Sequence, residues 1–270
     1  MIYFKNKIVT KCLLLCLVIF IIASASYCAK KISKMYQQLA NLKESTIINN
    51  SIITELLVQQ QTCQLDSLPH NVLCIGNSIT LHQPLDKVNW YSSQGMAASK
   101  PEFDYCHILE KMMKQHNPET KVTPVNLASW ERDFSINIDS LLKDKCIGKD
   151  IIVIRIGENV QTSDIPHFAD ALSKLIDYCS HYTKNIILTG EYWPVPQKEH
   201  AIVKNAYYHK LKYVPIYWIW NLFQEECSPN EGDTLYNTKG QPYKIEGSFI
   251  ITHPNDKGME LIARSIYNAL

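Results

Sequence analysis

A serine, an asparagine and a histidine stand in this chain where apolar segments give out. Ser78 follows the Gly76 that closes "NVLCIG" (71–76), and Asn159 follows the Gly157 that closes "DIIVIRIG" (150–157). His253 lies in "ITHPND", just ahead of a terminal helical pattern at 256–269. Together these types suit acyl chemistry. A serine hydroxyl is a poor nucleophile until a base takes its proton, which histidine does well near neutral pH. The tetrahedral intermediate then needs hydrogen-bond donors aimed at its oxyanion, such as amide side chains and backbone N–H groups. Each residue also has a plainer reading. Ser78 suits a helix cap, Asn159 suits a turn after a strand, and His253 suits a surface position before Pro254.

The elements around these residues favour the chemical reading. Short β-rich runs occur at 71–76, 121–128, 150–157, 185–193 and 214–220, with helical patterns near 102–117, 132–143, 165–182, 198–210 and 256–269. Near-continuous apolar strands alternating with helices predict an α/β fold with a mostly parallel sheet covered on both faces. Pro124 puts the second strand at an edge or a strand start. In such sheets ligands bind at the carboxyl ends of the strands, where Ser78 falls.

The ordered set resembles the SGNH (GDSL-like) hydrolase family across residues 70–270. "GNSIT" is similar to its first block, "GEN" to its Gly-x-Asn block and "HP" to its histidine block. "GNSITLH", "WYSSQGMAASKPEFDYCHIL", "GENV" and "HPNDKGM" together resemble a bacterial subgroup of that family. The resemblance implies a three-layer α/β/α sandwich with a five-stranded, flavodoxin-like sheet. It implies that Ser78 attacks and that His253 serves as general base and then general acid. It also implies that Asn159 and the Ser78 N–H bind the oxyanion. No cofactor or metal is implied.

Three positions depart from the family pattern. Glu131 stands where the second block has a glycine whose N–H would complete the oxyanion hole, so only its backbone N–H is a candidate. Asn77 replaces an aspartate before the nucleophile. Ile250 occupies the position of the acid, three residues before His253. The histidine then needs another partner: a backbone carbonyl, Asp256, Glu246 or Glu131. Asp256 also reads as the N-cap of the last helix. A Ser–His dyad is the leading reading. Trp90, Tyr91, Trp130, Tyr192 and Trp193 fall in expected loops at strand ends, where aromatic rings suit stacking on a sugar; Glu158 is a further candidate for substrate contact.

Composition bounds the rest. Lys and Arg number 27 against 26 Asp and Glu, with no basic stretch interleaved with aromatics, so nucleic acid is not an expected partner. Residues 12–29 carry no charge, and eighteen helical residues span about 27 Å, near the hydrocarbon thickness of a bilayer. We read residues 1–29 as a signal anchor, the alternative being a cleaved signal peptide, with residues 30–65 a helical stalk and 66–270 the hydrolase-like domain. The main domain then lies outside the cytoplasm. No cysteine or histidine spacing suits zinc, and a disulfide among Cys63, Cys146 and Cys227 stays unpaired by sequence. The expected activity is hydrolysis of O-acyl, above all O-acetyl, esters on a glycan or small molecule. The rivals are an acyltransferase using the same site and a catalytically silent glycan-binding protein.

Overall fold

The computed structural model describes residues 71–270. These lie in one compact unit, Asp66–Leu270. The anchor, the stalk and Cys63 lie outside the described residues. Among the described residues, no helix is long and apolar enough to cross a membrane.

Five strands, β1 (Asn71–Gly76), β2 (Lys121–Asn126), β3 (Ile151–Ile154), β4 (Ile186–Thr189) and β5 (Lys212–Val214), form one sheet in the order β2-β1-β3-β4-β5. All its pairings are parallel. Alternation along the strands splits the core in two, because successive side chains of a strand face opposite sides of the sheet. Leu73, Ile75, Ile152, Ile154, Ile186 and Leu188 face one layer, formed by α3 (Ile138–Cys146), α4 (Ile165–Ser180) and α5 (Pro196–Tyr208). Val72, Cys74, Val153 and Ile187 face the other, formed by α1 (Tyr105–Lys114), α6 (Tyr217–Cys227) and α8 (Asp256–Tyr267). The result is an α/β/α sandwich. Pro124 sits on β2, an outer strand, where a missing N–H costs no central pairing.

The segment 214–220 departs from the expected strand. Only Val214 belongs to β5, and Tyr217–Cys227 is helical. Pro215 cannot continue the ladder, and a short apolar run fits a half-buried helix as well as a buried strand. The helix expected at 132–143 is likewise two pieces, α2 (Ala128–Arg132) and α3. Cys146 and Cys227 are free and buried in the cores on opposite sides of the sheet, so they cannot pair with each other. A small third cluster, including Trp90, Met96, Leu235, Ile245 and Ile250, packs under an antiparallel pair, β6 (Thr234–Tyr236) with β7 (Pro242–Lys244).

Candidate active site

The turn that carries Ser78 is built by close packing. A Cβ on Gly76 would lie 1.8 Å from the Thr80 hydroxyl and 3.0 Å from the Arg155 carbonyl, so only glycine lets the chain fold back here. The N–H groups of Thr80 and Leu81 both donate to the Asn77 carbonyl, at 2.9 and 3.0 Å. Asn126, at the end of β2, donates to the Leu81 carbonyl at 2.6 Å and pins the turn from the side. Ser78 begins a turn rather than a helix. Its N–H makes no hydrogen bond among the described residues.

His253 reaches this turn from the other end of the chain. Its Nε2 lies 2.9 Å from Ser78 Oγ, and its Nδ1 lies 3.1 Å from the Phe249 carbonyl oxygen. A carbonyl only accepts, so the proton resides on Nδ1 and the Nε2 lone pair faces the serine hydroxyl. The local helix explains why that carbonyl is available. In a continuing α-helix the His253 N–H would take the Phe249 oxygen; instead α7 (Ser248–Ile251) ends, and the N–H bonds Ile250 O at 2.9 Å. The ring packs edge-on against Trp193, with centroids 5.0 Å apart, and lies tilted against Phe249 at 5.3 Å. Burial pushes its pKa down to about 4, against a rise from the Phe249 bond, so the imidazole is neutral near pH 7.

The acid candidates do not reach the ring. Asp256 accepts from the Ser99 N–H at 2.7 Å and the Ser99 hydroxyl at 2.6 Å. It is not the N-cap of α8 either. Asn255 holds that place and accepts from the Gly258 N–H at 3.1 Å, because the cap residue lies just outside the helix that Asp256 begins. Glu246 is exposed. Ile250, where the resemblance led us to look for an acid, is buried in the third cluster and serves packing.

Beneath the serine lies a buried polar network whose connections the sequence did not show. Arg155, at the end of β3, is fully buried and donates to Glu158 at 2.5 Å and to the Asn77 side-chain oxygen. Asn77 donates in turn to Glu158 at 2.6 Å and to Glu131 at 3.3 Å. An aspartate at 77 would set a third acceptor-only group between two carboxylates, whereas the amide matches both neighbours. Burial opposes ionisation of Glu158, but the Arg155 guanidinium and hydrogen bonds from Tyr192 and Asn77 hold its carboxyl below the usual glutamate value. Glu131 is pushed up by burial and by the Glu158 charge. Glu191, beside Gly157, is pushed up to about 7 by burial and by Glu158, despite its 2.8 Å ion pair with Lys198.

Glu131 acts otherwise than expected. Its N–H donates to Leu127 O at 3.1 Å in the first turn of α2, so it is not an oxyanion donor. Its carboxylate accepts from the Gly157 N–H at 2.5 Å and from Asn159 Nδ2 at 2.7 Å. Asn159 reaches the same cleft as Ser78 and His253, a volume of about 350 Å³. Glu158, Trp193, Trp220, Phe249 and Thr252 complete its walls. Of the expected aromatics only Trp193 takes part. Trp90 is buried with its indole N–H on His82 O, and Tyr91 packs edge-on against Tyr243. Trp130 lies in the core against Phe134, and Tyr192 is buried behind Trp193 and Trp220. Trp90, Trp130 and Tyr192 fill apolar layers, the commoner use of a large ring. Trp220 and Phe249 were missed because a helix, rather than a strand-end loop, carries each.

No protein-family profile matches the sequence, and no curated protein does. Solved structures do. The similarity is to GDSL-like lipolytic proteins and carbohydrate esterases. One is a G-D-S-L family protein from Desulfitobacterium hafniense, at 13% identity and TM-score 0.46, covering 74% of this chain and 99% of that one. A catalytic mutant of an acetylxylan esterase from Geobacillus stearothermophilus is 13% identical with TM-score 0.48, over 74% of this chain and 94% of its own. A family 3 carbohydrate esterase from Clostridium thermocellum is 16% identical with TM-score 0.44, again over 74% and 94%.

Proposed function

We propose that this chain is an SGNH-type serine ester hydrolase that removes O-acyl groups, acetyl above all, from a glycan. The observation that carries the reading is the 2.9 Å contact of Ser78 Oγ with a His253 whose Nδ1 is anchored on a carbonyl. His253 Nε2 takes the hydroxyl proton as Ser78 Oγ attacks the ester carbonyl carbon. The oxyanion forms against the Ser78 N–H and the Asn159 amide. The alkoxide leaves with the proton from Nε2, and water repeats the sequence to release the acid. The backbone-held ring is a dyad arrangement, and it removes the reason to read Ile250 as a sign of silence. Trp193, Trp220 and Phe249 supply apolar faces for an acyl group and a sugar ring. Residues 12–29 serve as the anchor that holds the enzyme outside the cytoplasm.

The test is labelling with a fluorophosphonate and hydrolysis of an acetylated xylo-oligosaccharide. Ser78→Ala should abolish both with little change in thermal midpoint. Retention of more than about a tenth of the activity would show that another group is the nucleophile, given far larger losses in known triads. Release of free acetate in the presence of acceptor sugar separates hydrolysis from acyl transfer.

A further inference from the structure

The Asn159 amide is gripped at both ends by adjacent residues of α2. Its Nδ2 donates to Glu131 Oε2 at 2.7 Å, and its Oδ1 accepts from Arg132 Nη2 at 2.7 Å. A primary amide has nearly the same shape when turned end for end, and the wrong turn would aim an oxygen at a developing oxyanion. This clamp admits one orientation. A carboxylate here only accepts and a guanidinium only donates, so the flipped amide would set oxygen against oxygen and N–H against N–H. Nδ2 keeps a second N–H, and the residue lines the cleft beside Ser78. The Arg132 bond also draws electron density toward Oδ1, which strengthens the remaining N–H as a donor.

We propose that Glu131 and Arg132 are a positioning pair that fixes the Asn159 amide as an oxyanion donor, compensating for the glycine N–H that the second loop lacks. The proposal rests on the esterase reading above. Glu131 has the further task of holding the Gly157 N–H at 2.5 Å, so it ties the Asn159 loop to α2 at two points. Glu131→Gln would leave one acceptor for these donors and turn an NH₂ toward one of them. Arg132 is exposed, so its replacement tests the clamp without threatening the fold.

The experiment is a double-mutant cycle read in kcat, KM and the affinity of a boronic acid that adds to Ser78 as a tetrahedral anion. Loss of an oxyanion donor costs about 10²–10³ in rate, so Asn159→Ala should fall in that range and Arg132→Ala should lose on the order of tenfold in kcat. KM should hold, boronate affinity should fall in step with kcat, and Arg132→Lys should recover part of the loss. Glu131→Gln, if it folds, should behave as Arg132→Ala does. In the Asn159→Ala background, Arg132→Ala should cost less than about twofold, because the two act through one amide. A full loss in that background, a change in KM alone, or no change overturns the proposal while the esterase reading stands. A wild-type protein that neither turns over esters nor reacts with a fluorophosphonate overturns both.

Discussion

On the proposed esterase reading, His253 should give the activity an unusually acidic lower limit. The perturbation is pH. The free enzyme's kcat/KM reports the base in its unbound state, so its acid limb follows the imidazole. Burial sets that group at about 4 against an ordinary 6.5, and the Phe249 carbonyl, being neutral, offsets only part of the drop. Between pH 8 and 5 the profile should show no histidine limb near 6.5, and below about 4 it should fall tenfold per pH unit. The same gap has a stability consequence whose sign is fixed. The folded value lies below the unfolded one, so the unfolded chain binds more protons at intermediate pH. The contribution is therefore complete above 6.5 and is lost as pH falls toward about 4. A gap of about 2.5 pH units at 1.36 kcal/mol each is about 3 kcal/mol. Urea unfolding of wild type and His253→Gln at pH 7.5 and 4 isolates it: wild type should lose about 3 kcal/mol more than the variant. A kinetic limb at pH 6 or above, or equal losses in both proteins, refutes the reasoning.

Other outcomes follow from the same geometry. Asp256→Asn should lower stability by about 1.5–3 kcal/mol at most, through a weakened grip on Ser99, and activity by less than about tenfold; a loss near that of His253→Ala would mean that Asp256 serves the histidine. Gly157 has φ 136 and a Cβ there would meet Glu191 Oε1 at 3.0 Å, so Gly157→Ala should cost about 1–3 kcal/mol in urea unfolding from backbone strain alone. The full-length protein should fractionate with membranes. Mature protein starting near Ser26 in the soluble fraction would favour a cleaved signal peptide.

The layered sheet was legible because parallel strands buried on both faces read as near-continuous apolar runs, as "NVLCIG" and "DIIVIRIG" do. The run "VPIYWIW" misled because apolar content without a clear period fits a strand or a helix, and only packing of Ile219 and Cys227 against the sheet decides. Ser78, Asn159 and His253 were visible as punctuation at element ends. A backbone carbonyl stood among the candidate partners of the histidine, but which one was not visible, because a main-chain oxygen has no letter in a sequence. The role of Arg155 was hidden for a different reason. It sits inside an apolar strand motif, and its meaning depends on Asn77 and Glu158 meeting it in space.

The carbonyl beneath His253 changes what drift can damage. Every residue carries a main-chain oxygen, so no codon change at position 249 deletes the group that holds the ring. An enzyme with a carboxylate there has a single point of failure. Here the vulnerable unit is a backbone shape spread over the short helix, begun at Gly247 with φ 84 and ended where the His253 N–H turns to Ile250 O. Insertions, deletions or a proline within 248–253 would move the oxygen and disarm the base. Side-chain exchange at 250 leaves the oxygen in place. That position is thereby released from chemistry, and an isoleucine has taken it into the core.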